Sequence, residues 1–271
     1  MALPTVKLDQ GIHAMHVFYN VDRVAWDELT QEESQAAKEK LQALCEANNQ
    51  PCQPFLRSYA PVGGKADLCF WLMHEELGAL AQMHRDLEAC FPPGTIDTVY
   101  SYLSVTELTE YQPTYDDSKA RLIHQEGLDP ESDEFKTKFE EAKKHVDSYR
   151  QFRINPEMQD WEVMAFYPMN KRRSGDDNWY MLDFDARKKL MSGHARVGRK
   201  YAGRISQMIT GSTGLDDWEW GVTLMAHQLD AIKEIVYEMR FDEVSARYGD
   251  FGQFYISLRA QPEDLWKHLH L

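Results

Sequence analysis

The stretch PFLRSYAPVGGKADLCFWLMH, residues 54–74, decides the fold. Two apolar runs, residues 54–62 and 67–74, stand on either side of the pair Gly63-Gly64. A glycine pair between two such runs is typical of a β-hairpin. The stretch therefore predicts two neighbouring antiparallel strands.

The segments on both sides of the hairpin extend it to the order β-α-β-β-α-β. Residues 13–21 (HAMHVFYNV) are rich in β-branched and aromatic residues and predict a strand. Residues 22–48 predict a helix, because their apolar positions recur at spacings of three and four. Residues 75–90 predict a second helix and residues 97–111 a fourth strand. This order is that of a ferredoxin-like unit.

The last third of the chain predicts a second unit of similar build. We expect strands at residues 161–169, 203–211, 218–227 and 251–260, helices at 186–201 and 228–240, and a short strand or a helix approach at 178–184. The halves share no residue-level repeat, so the likeness rests on element order alone. We expect one α+β body of two antiparallel sheets with outer helices, with an N-terminal half at residues 1–111 and a C-terminal half at 159–271.

Residues 112–158 differ from both halves, because they are polar and highly charged. They predict a connector that carries one solvated helix, at residues 134–149. The alternative is a lid over a functional site, since long ordered connectors sometimes act as lids.

Composition excludes several classes of protein. The 271 residues carry a formal net charge of −14, which argues against general nucleic-acid binding. No run of eighteen apolar residues predicts a membrane span, and the N-terminus lacks an apolar signal core, so we expect a cytoplasmic protein. The cysteines match no zinc pattern and predict reduced thiols; they are Cys45, Cys52, Cys69 and Cys90.

One segment runs against the acidic trend. Between Tyr167 and Arg204 there are ten lysines and arginines but only four acidic residues, which suggests an anionic ligand. His194 lies in this segment, one helical turn after Leu190 and Met191 and therefore on the predicted buried face. It is either a satisfied core histidine or an iron ligand, and the neighbouring glycines leave room for a flat group.

Tyr167, Met169 and Lys171 are spaced by two and share one face of the predicted strand. A phenol, a thioether and an ammonium form a poor core and a plausible site. The alternative is a strand end, where Pro168 interrupts the ladder and the side chains reach solvent.

Four further polar residues are candidates for ligand contacts. Gln207 faces the same side as Ile205 and Ile209, so it either bonds to neighbouring strands or lines a cavity with a polar edge. The other three could bind carboxylates or be ordinary surface residues; they are Arg153, Arg240 and Ser245.

Several long runs resemble one known family. These runs are YPMNKRR (167–173), NWYML (178–182), GRKYAG (198–203), ITGSTGLDDWEWGVTL (209–224), VYEMRFDEVSARYGDFG (236–252), GGKADLCFWLM (63–73) and VYSYLSVTELTEY (99–111). They are similar to the coproheme decarboxylases, which are the HemQ-type members of the chlorite dismutase family. The resemblance covers nearly the whole chain outside the connector.

The resemblance implies a fold and an activity. Members of this family pair two ferredoxin-like halves into a dimeric α+β barrel within one subunit, and the decarboxylases are typically homopentamers. They use hydrogen peroxide to convert two propionates of iron-coproporphyrin III (coproheme) to vinyl groups, which releases carbon dioxide and yields haem b. A ferrochelatase that supplies coproheme is the implied partner.

The resemblance also implies residue roles. His194 matches the proximal ligand of the haem iron, Tyr167 the tyrosine that becomes a radical, and Lys171 the lysine that assists it. Gln207 matches the distal glutamine, where chlorite-degrading relatives carry arginine. The positions that contact porphyrin propionates are matched by Arg153, Met169, Arg240 and Ser245.

Two departures from the family pattern stand out. The connector is longer and more charged than in the family, and Ala195 follows the histidine where the family has glycine. Two other functions compete with the decarboxylase. One is a chlorite-degrading or general haem peroxidase of the same fold, and the other is a non-catalytic haem carrier or sensor.

Overall fold

Over residues 4–271, which the computed structural model describes, nine strands form one antiparallel sheet that closes on itself. The strands are β1 (His13–Val21), β2 (Phe55–Val62), β3 (Leu68–His74), β4 (Ile96–Val105), β5 (Val163–Lys171), β6 (Ile205–Gly211), β7 (Trp220–Ala226), β8 (Gly249–Phe251) and β9 (Tyr255–Arg259). The helices are α1 (Arg23–Asp27), α2 (Gln31–Ala47), α3 (Leu77–Glu88), α4 (Tyr115–His124), α5 (Asp133–Ile154), α6 (Phe184–Arg199), α7 (Leu229–Met239), α8 (Glu243–Tyr248) and α9 (Pro262–Leu269). Short 3-10 helices occupy Gly175–Asp177 and Trp179–Met181.

Each half has the strand order of a ferredoxin-like unit, as the sequence predicts. The order is β4-β1-β3-β2 in the first half and β6-β7-β5-β9 in the second. Two seams join the halves into a barrel, and β8 extends β5 beyond the closed ring. The fold is therefore α+β, with both halves in one sheet rather than in two separate sheets.

The two seams differ in construction. Strands β2 and β9 pair over four residues, from Tyr59 opposite Arg259 to Val62 opposite Ile256. Strands β4 and β6 pair only where Val105 meets Gly211. Side chains reinforce this second seam, because Asp216 accepts a hydrogen bond from the Leu103 amide at 3.0 Å and Tyr102 bonds to Ser212.

Residue parity divides each strand between the barrel interior and the outer helices. On β1, Ala14 and Phe18 point into an aromatic interior, while Val17 and Tyr19 point out to the core under α2 and α3. The interior contains the rings of Trp71, Tyr102, Phe166 and Tyr255. The outer face of the second half has its own core, which includes residues of β5, β6, β7 and α7.

The sequence misplaces several elements. Residues 22–48 form two helices rather than one, the strand predicted at 97–111 ends at Val105, and that predicted at 251–260 begins at Tyr255. The predictions also omit α8 and α9. No helix within residues 4–271 is both long and apolar enough to cross a membrane.

The connector carries two helices, so the prediction of one is wrong. A capping box begins α4, in which Thr114 and Asp117 exchange side-chain and backbone hydrogen bonds. Ser132 caps α5 through the Phe135 amide. The two helices pack together, and Leu122, Phe135 and Val146 are buried there.

His16 is a titratable group inside the barrel. Its ring stacks on Trp71 and Phe166, with centroids 5.1 and 4.2 Å away, and its Nε2 lies 3.1 Å from Thr223 Oγ1. Its Nδ1 has no hydrogen-bond partner among the described residues. Burial lowers the pKa of His16 to about 3, because this interior disfavours the imidazolium.

We expect His16 to make folding stability depend on pH. Between pH 6.5 and 3 the unfolded chain binds a proton at this residue and the folded chain does not. The free energy of unfolding therefore decreases as the pH is lowered through that window. The loss between pH 7 and pH 5 is about 2 kcal/mol for an ordinary unfolded histidine. Urea unfolding of wild type, His16→Phe and His145→Phe measures it. His16→Phe flattens the dependence and exposed His145→Phe keeps it; equal slopes contradict the prediction.

Candidate active site

The outer face of β5, β7 and β6 forms the floor of the candidate site. The strand registers align its side chains in three rows: Ala165, Leu224 and Gln207; Tyr167, Val222 and Ile209; Met169, Trp220 and Gly211. Because parity is fixed along each strand, Tyr167 and Met169 share this face, as the sequence predicts, and the register adds Gln207 to it.

Helix α6 stands off this floor. None of its sixteen residues, all of them described, is buried, and its main packing partners are α7 and α8. The face that carries Leu190, Met191 and His194 is therefore half-exposed, which corrects the expectation that it is buried. Helix α6 therefore packs mainly on α7 and α8 and has little contact with the strands.

His194 is held by a carboxylate. Its Nδ1 lies 2.7 Å from Asp242 Oδ2, and Asp242 also caps α8 by accepting bonds from the amides of Val244 and Ser245. Burial alone would raise the pKa of Asp242, but the interaction with His194 and the hydrogen bonds from Ser245 and the Val244 amide together lower that pKa. A carboxylate on Nδ1 fixes the tautomer and leaves Nε2 free for a metal.

Tyr167 is a buried phenol, with an exposed fraction of 7%. Its ring stacks on Phe254 at 4.2 Å between centroids, and Phe251 lies beyond it. Arg240 places its guanidinium 4.0 Å from the centroid of the Phe251 ring. Burial raises the pKa of Tyr167, and the charge of Arg240 only partly opposes this, so the hydroxyl stays protonated at neutral pH.

Lys171 is a buried ammonium at the end of the same row of alternate residues. Its Nζ lies 4.7 Å from the centroid of the Trp179 ring, and its backbone amide donates to buried Glu219 at 2.9 Å. Burial lowers the pKa of Lys171 to about 8, although Asp242 and Glu219 oppose the change. A lysine in this range can exchange a proton near neutral pH.

Arg153 reaches the site from the last turn of α5. Its Nη2 donates to the carbonyls of Glu107 and Ile209 over 3.4 and 3.3 Å, which links the ends of β4 and β6 across the weak seam. Its Nε is buried and has no partner among the described residues. A guanidinium with a free buried donor is suited to a carboxylate.

The structure thus puts sequence-predicted residues on one sheet face and on the helices that border it, and Asp242 links His194 to Lys171. The floor supplies Tyr167, Met169, Lys171 and Gln207, and α6 supplies His194. Ser245 lies at the first turn of α8, where its hydroxyl donates to Asp242 at 3.0 Å. Sequence reasoning missed four residues that contact this set, which are Glu107, Trp179, Glu219 and Asp242. Of these, Asp242 could have been found from the sequence, since aspartate is a preferred N-cap residue and Asp242 begins α8.

The basic excess of the segment around His194 does not produce a basic surface in the site. Most of these side chains form ion pairs with acids from other segments; the pairs are Arg172–Asp250, Arg173–Glu219, Arg187–Glu110, Lys188–Asp117, Lys200–Glu238 and Arg204–Glu234. Lys171 is the member of the segment that lies in the site. The local charge excess therefore does not by itself indicate an anion site; the cations near the floor are Lys171, Arg153 and Arg240.

Comparisons with known proteins identify the family and the fold. A family model described as chlorite dismutase matches residues 33–260. A solved heme-binding protein from Thermus thermophilus is 37% identical, covers 100% of this chain and 99% of its own, and superposes with a TM-score of 0.77. A double mutant of chlorite dismutase from Candidatus Nitrospira defluvii is 19% identical over 97% of this chain and 98% of its own, with a TM-score of 0.70, and so is similar in fold.

We expect Lys171 to titrate well below an ordinary lysine. In protein labelled with carbon-13 lysine, the resonance absent from Lys171→Met should titrate with a midpoint of about 8, because burial disfavours its ammonium. The same residue in urea-unfolded protein serves as the control and should titrate near ~10.4. A folded midpoint as high as the unfolded one contradicts the prediction.

Proposed function

Because the chain belongs to the chlorite dismutase family, we propose that it is a peroxide-dependent coproheme decarboxylase that makes haem b. The observation that supports the proposal is that Tyr167, Met169 and Lys171 share one face of β5, while Asp242 both bonds to His194 and acts through its charge on Lys171. A haem-binding protein without chemistry needs the histidine and a binding site, but it has no need for a buried phenol on the same strand face as a buried amine.

The residues of the candidate site fit an iron porphyrin. His194 is the candidate iron ligand, since Asp242 orients its ring and leaves Nε2 free. Arg153 and Arg240 flank the floor from α5 and α7 and are suited to carboxylate arms. When bound, and with peroxide present, the iron porphyrin supplies the oxidising power of the reaction.

The proposed reaction balances for each arm. One propionic acid side chain and one hydrogen peroxide give one vinyl group, one carbon dioxide and two waters. The arm loses a hydrogen from its β-carbon and then carbon dioxide, which is a two-electron oxidation, and peroxide takes up the two electrons. Repeating the reaction on a second arm converts coproheme to haem b.

Tyr167 and Lys171 have the properties that this reaction requires. Burial keeps the Tyr167 phenol protonated, so that it can lose an electron and a proton together and then take a hydrogen atom from a propionate arm. The pKa of Lys171 lies close enough to neutral pH that the side chain can bind a carboxylate as an ammonium or accept a proton as an amine. Met169, between them on the strand, offers a thioether for apolar contact with the arm.

Two other functions remain as alternatives. Glutamine rather than arginine at position 207 weighs against chlorite degradation and general peroxidase activity. A haem carrier gains support from the relative that is described as heme-binding, and the pairing of Tyr167 with Lys171 weighs against it. Assembly as a homopentamer, a cytoplasmic location and coproheme supply by a ferrochelatase complete the proposal and follow from the family resemblance.

We expect Tyr167→Phe to bind coproheme with nearly wild-type affinity but to lose product formation by a factor of about 100 or more, because phenylalanine has no hydroxyl hydrogen to give. Absorbance titration measures binding, and chromatography of porphyrins after stepwise peroxide addition measures chemistry. Tyr201→Phe is the matched control, since Tyr201 belongs to the same buried cluster and its hydroxyl bonds to Glu238.

The outcomes separate the three functions. Haem b from wild type and Tyr201→Phe but not from Tyr167→Phe supports the decarboxylase. Unchanged turnover in Tyr167→Phe refutes the radical role. Coproheme that binds to wild type and stays intact with peroxide indicates the carrier, and rapid oxygen release from chlorite indicates the chlorite-degrading enzyme.

We expect Asp242→Asn to weaken binding of iron porphyrin about tenfold and to leave iron-free porphyrin binding unchanged. Asparagine keeps the cap of α8 but makes His194 less basic. This change weakens the bond of His194 to iron and leaves the other porphyrin contacts unaffected. Fluorescence quenching with iron-coproporphyrin III and coproporphyrin III gives the two affinities. An equal loss for both ligands would show that Asp242 acts on the shape of the site instead.

A further inference from the structure

Glu107, two residues beyond the end of β4, places its carboxylate on the floor of the site. A Cβ built on Gly211 would overlap that carboxylate, so glycine at this position makes the room for it. Gly211 shares strand parity with Ile209, and its row continues through Trp220 to Met169. The carboxylate therefore lies on the same face as the proposed ligand contacts.

The groups that face Glu107 come from three elements. Helix α5 contributes Arg153, β6 contributes Gly211, and β7 contributes Trp220. Glu107 is an exposed residue, but partial desolvation of its carboxylate raises its pKa, while the charge of Arg153 and the polar side chain of Trp220 oppose this. Arg153 is thus the one charged side chain among these described neighbours.

Arg153 has donors to spare beside this carboxylate. Within residues 4–271 it forms no ion pair with Glu107 at salt-bridge distance, its two bonds to carbonyls are long, and its buried Nε has no partner. A carboxylate arm that binds this guanidinium comes close to Glu107. The arm brings a like charge beside the Glu107 carboxylate, which raises the pKa of both groups and favours uptake of a proton by one of them.

We propose that Glu107 is a specificity-determining residue that takes up a proton when a carboxylate arm of the ligand binds to Arg153. The ionised residue favours an uncharged arm at this place, and the protonated residue accepts a charged one. Loss of a carboxylate from the bound arm would remove the need for that proton. The inference rests on the proposed function for the identity of the ligand, a porphyrin with several carboxylates.

Calorimetric titration with iron-free coproporphyrin III tests the proposal, because this ligand has the carboxylates but no iron. Runs at pH 7 in buffers of different ionisation enthalpy give the number of protons bound with the ligand. We expect proton uptake in wild type, a loss of up to one proton in Glu107→Gln, and about tenfold tighter binding in that variant because a like charge is gone.

Two further variants sharpen the comparison. Glu131→Gln makes the same charge change on an exposed connector residue and should match wild type. Gly211→Ala displaces the Glu107 carboxylate without altering any charge, and it should also reduce proton uptake. Agreement of these two routes would exclude an effect of net charge.

The outcomes distinguish this inference from the proposed function. Equal proton uptake in wild type and Glu107→Gln overturns the role of Glu107 and leaves the decarboxylase untouched. Uptake that depends on Glu107, in a protein that leaves coproheme intact with peroxide, supports the role and overturns the decarboxylase. If wild type does not bind coproporphyrin III, both are overturned.

Discussion

Closure of the sheet is the constraint on which the rest of the structure depends. Once β2 meets β9 and β4 meets β6, each strand has one side inside the barrel and one side outside. Every second residue then belongs to the aromatic interior and its neighbours belong to the outer cores. The position of Tyr167 follows from this alternation, since Phe166 must fill the interior.

The candidate site combines a rigid floor with a less constrained roof. Its floor is the outer face of three strands, which are backed by a fully packed interior and cannot shift singly. Its roof, α6, is held by its flanks and by the bond between His194 and Asp242. A large flat ligand would supply the packing that this helix lacks, so that binding and ordering of the roof are coupled.

Sequence patterns predict those features that depend on local periodicity. The strands and the shared face of Tyr167, Met169 and Lys171 follow from a period of two. The helical period groups His194 with Leu190 and Met191 but does not show that this face is half-exposed. The bond of His194 to Asp242 joins residues 48 positions apart, and no local pattern contains it. The charge argument failed for the same reason, because the partners of Arg187 and Lys188 lie in another segment. Helix α4 of the connector was missed because its start depends on the Thr114 and Asp117 capping box rather than on apolar periodicity.

The difference between the two seams has a mechanical consequence. The β2–β9 seam has four residue pairs, whereas the β4–β6 seam has one pair and side-chain bonds. The β4–β6 seam is therefore the place where the barrel opens most easily. Thermal fluctuations of the barrel should be largest at the β4–β6 seam, because fewer backbone hydrogen bonds hold it together. This seam lies beside Arg153 and Glu107, so the barrel should be most flexible along one edge of the proposed binding site.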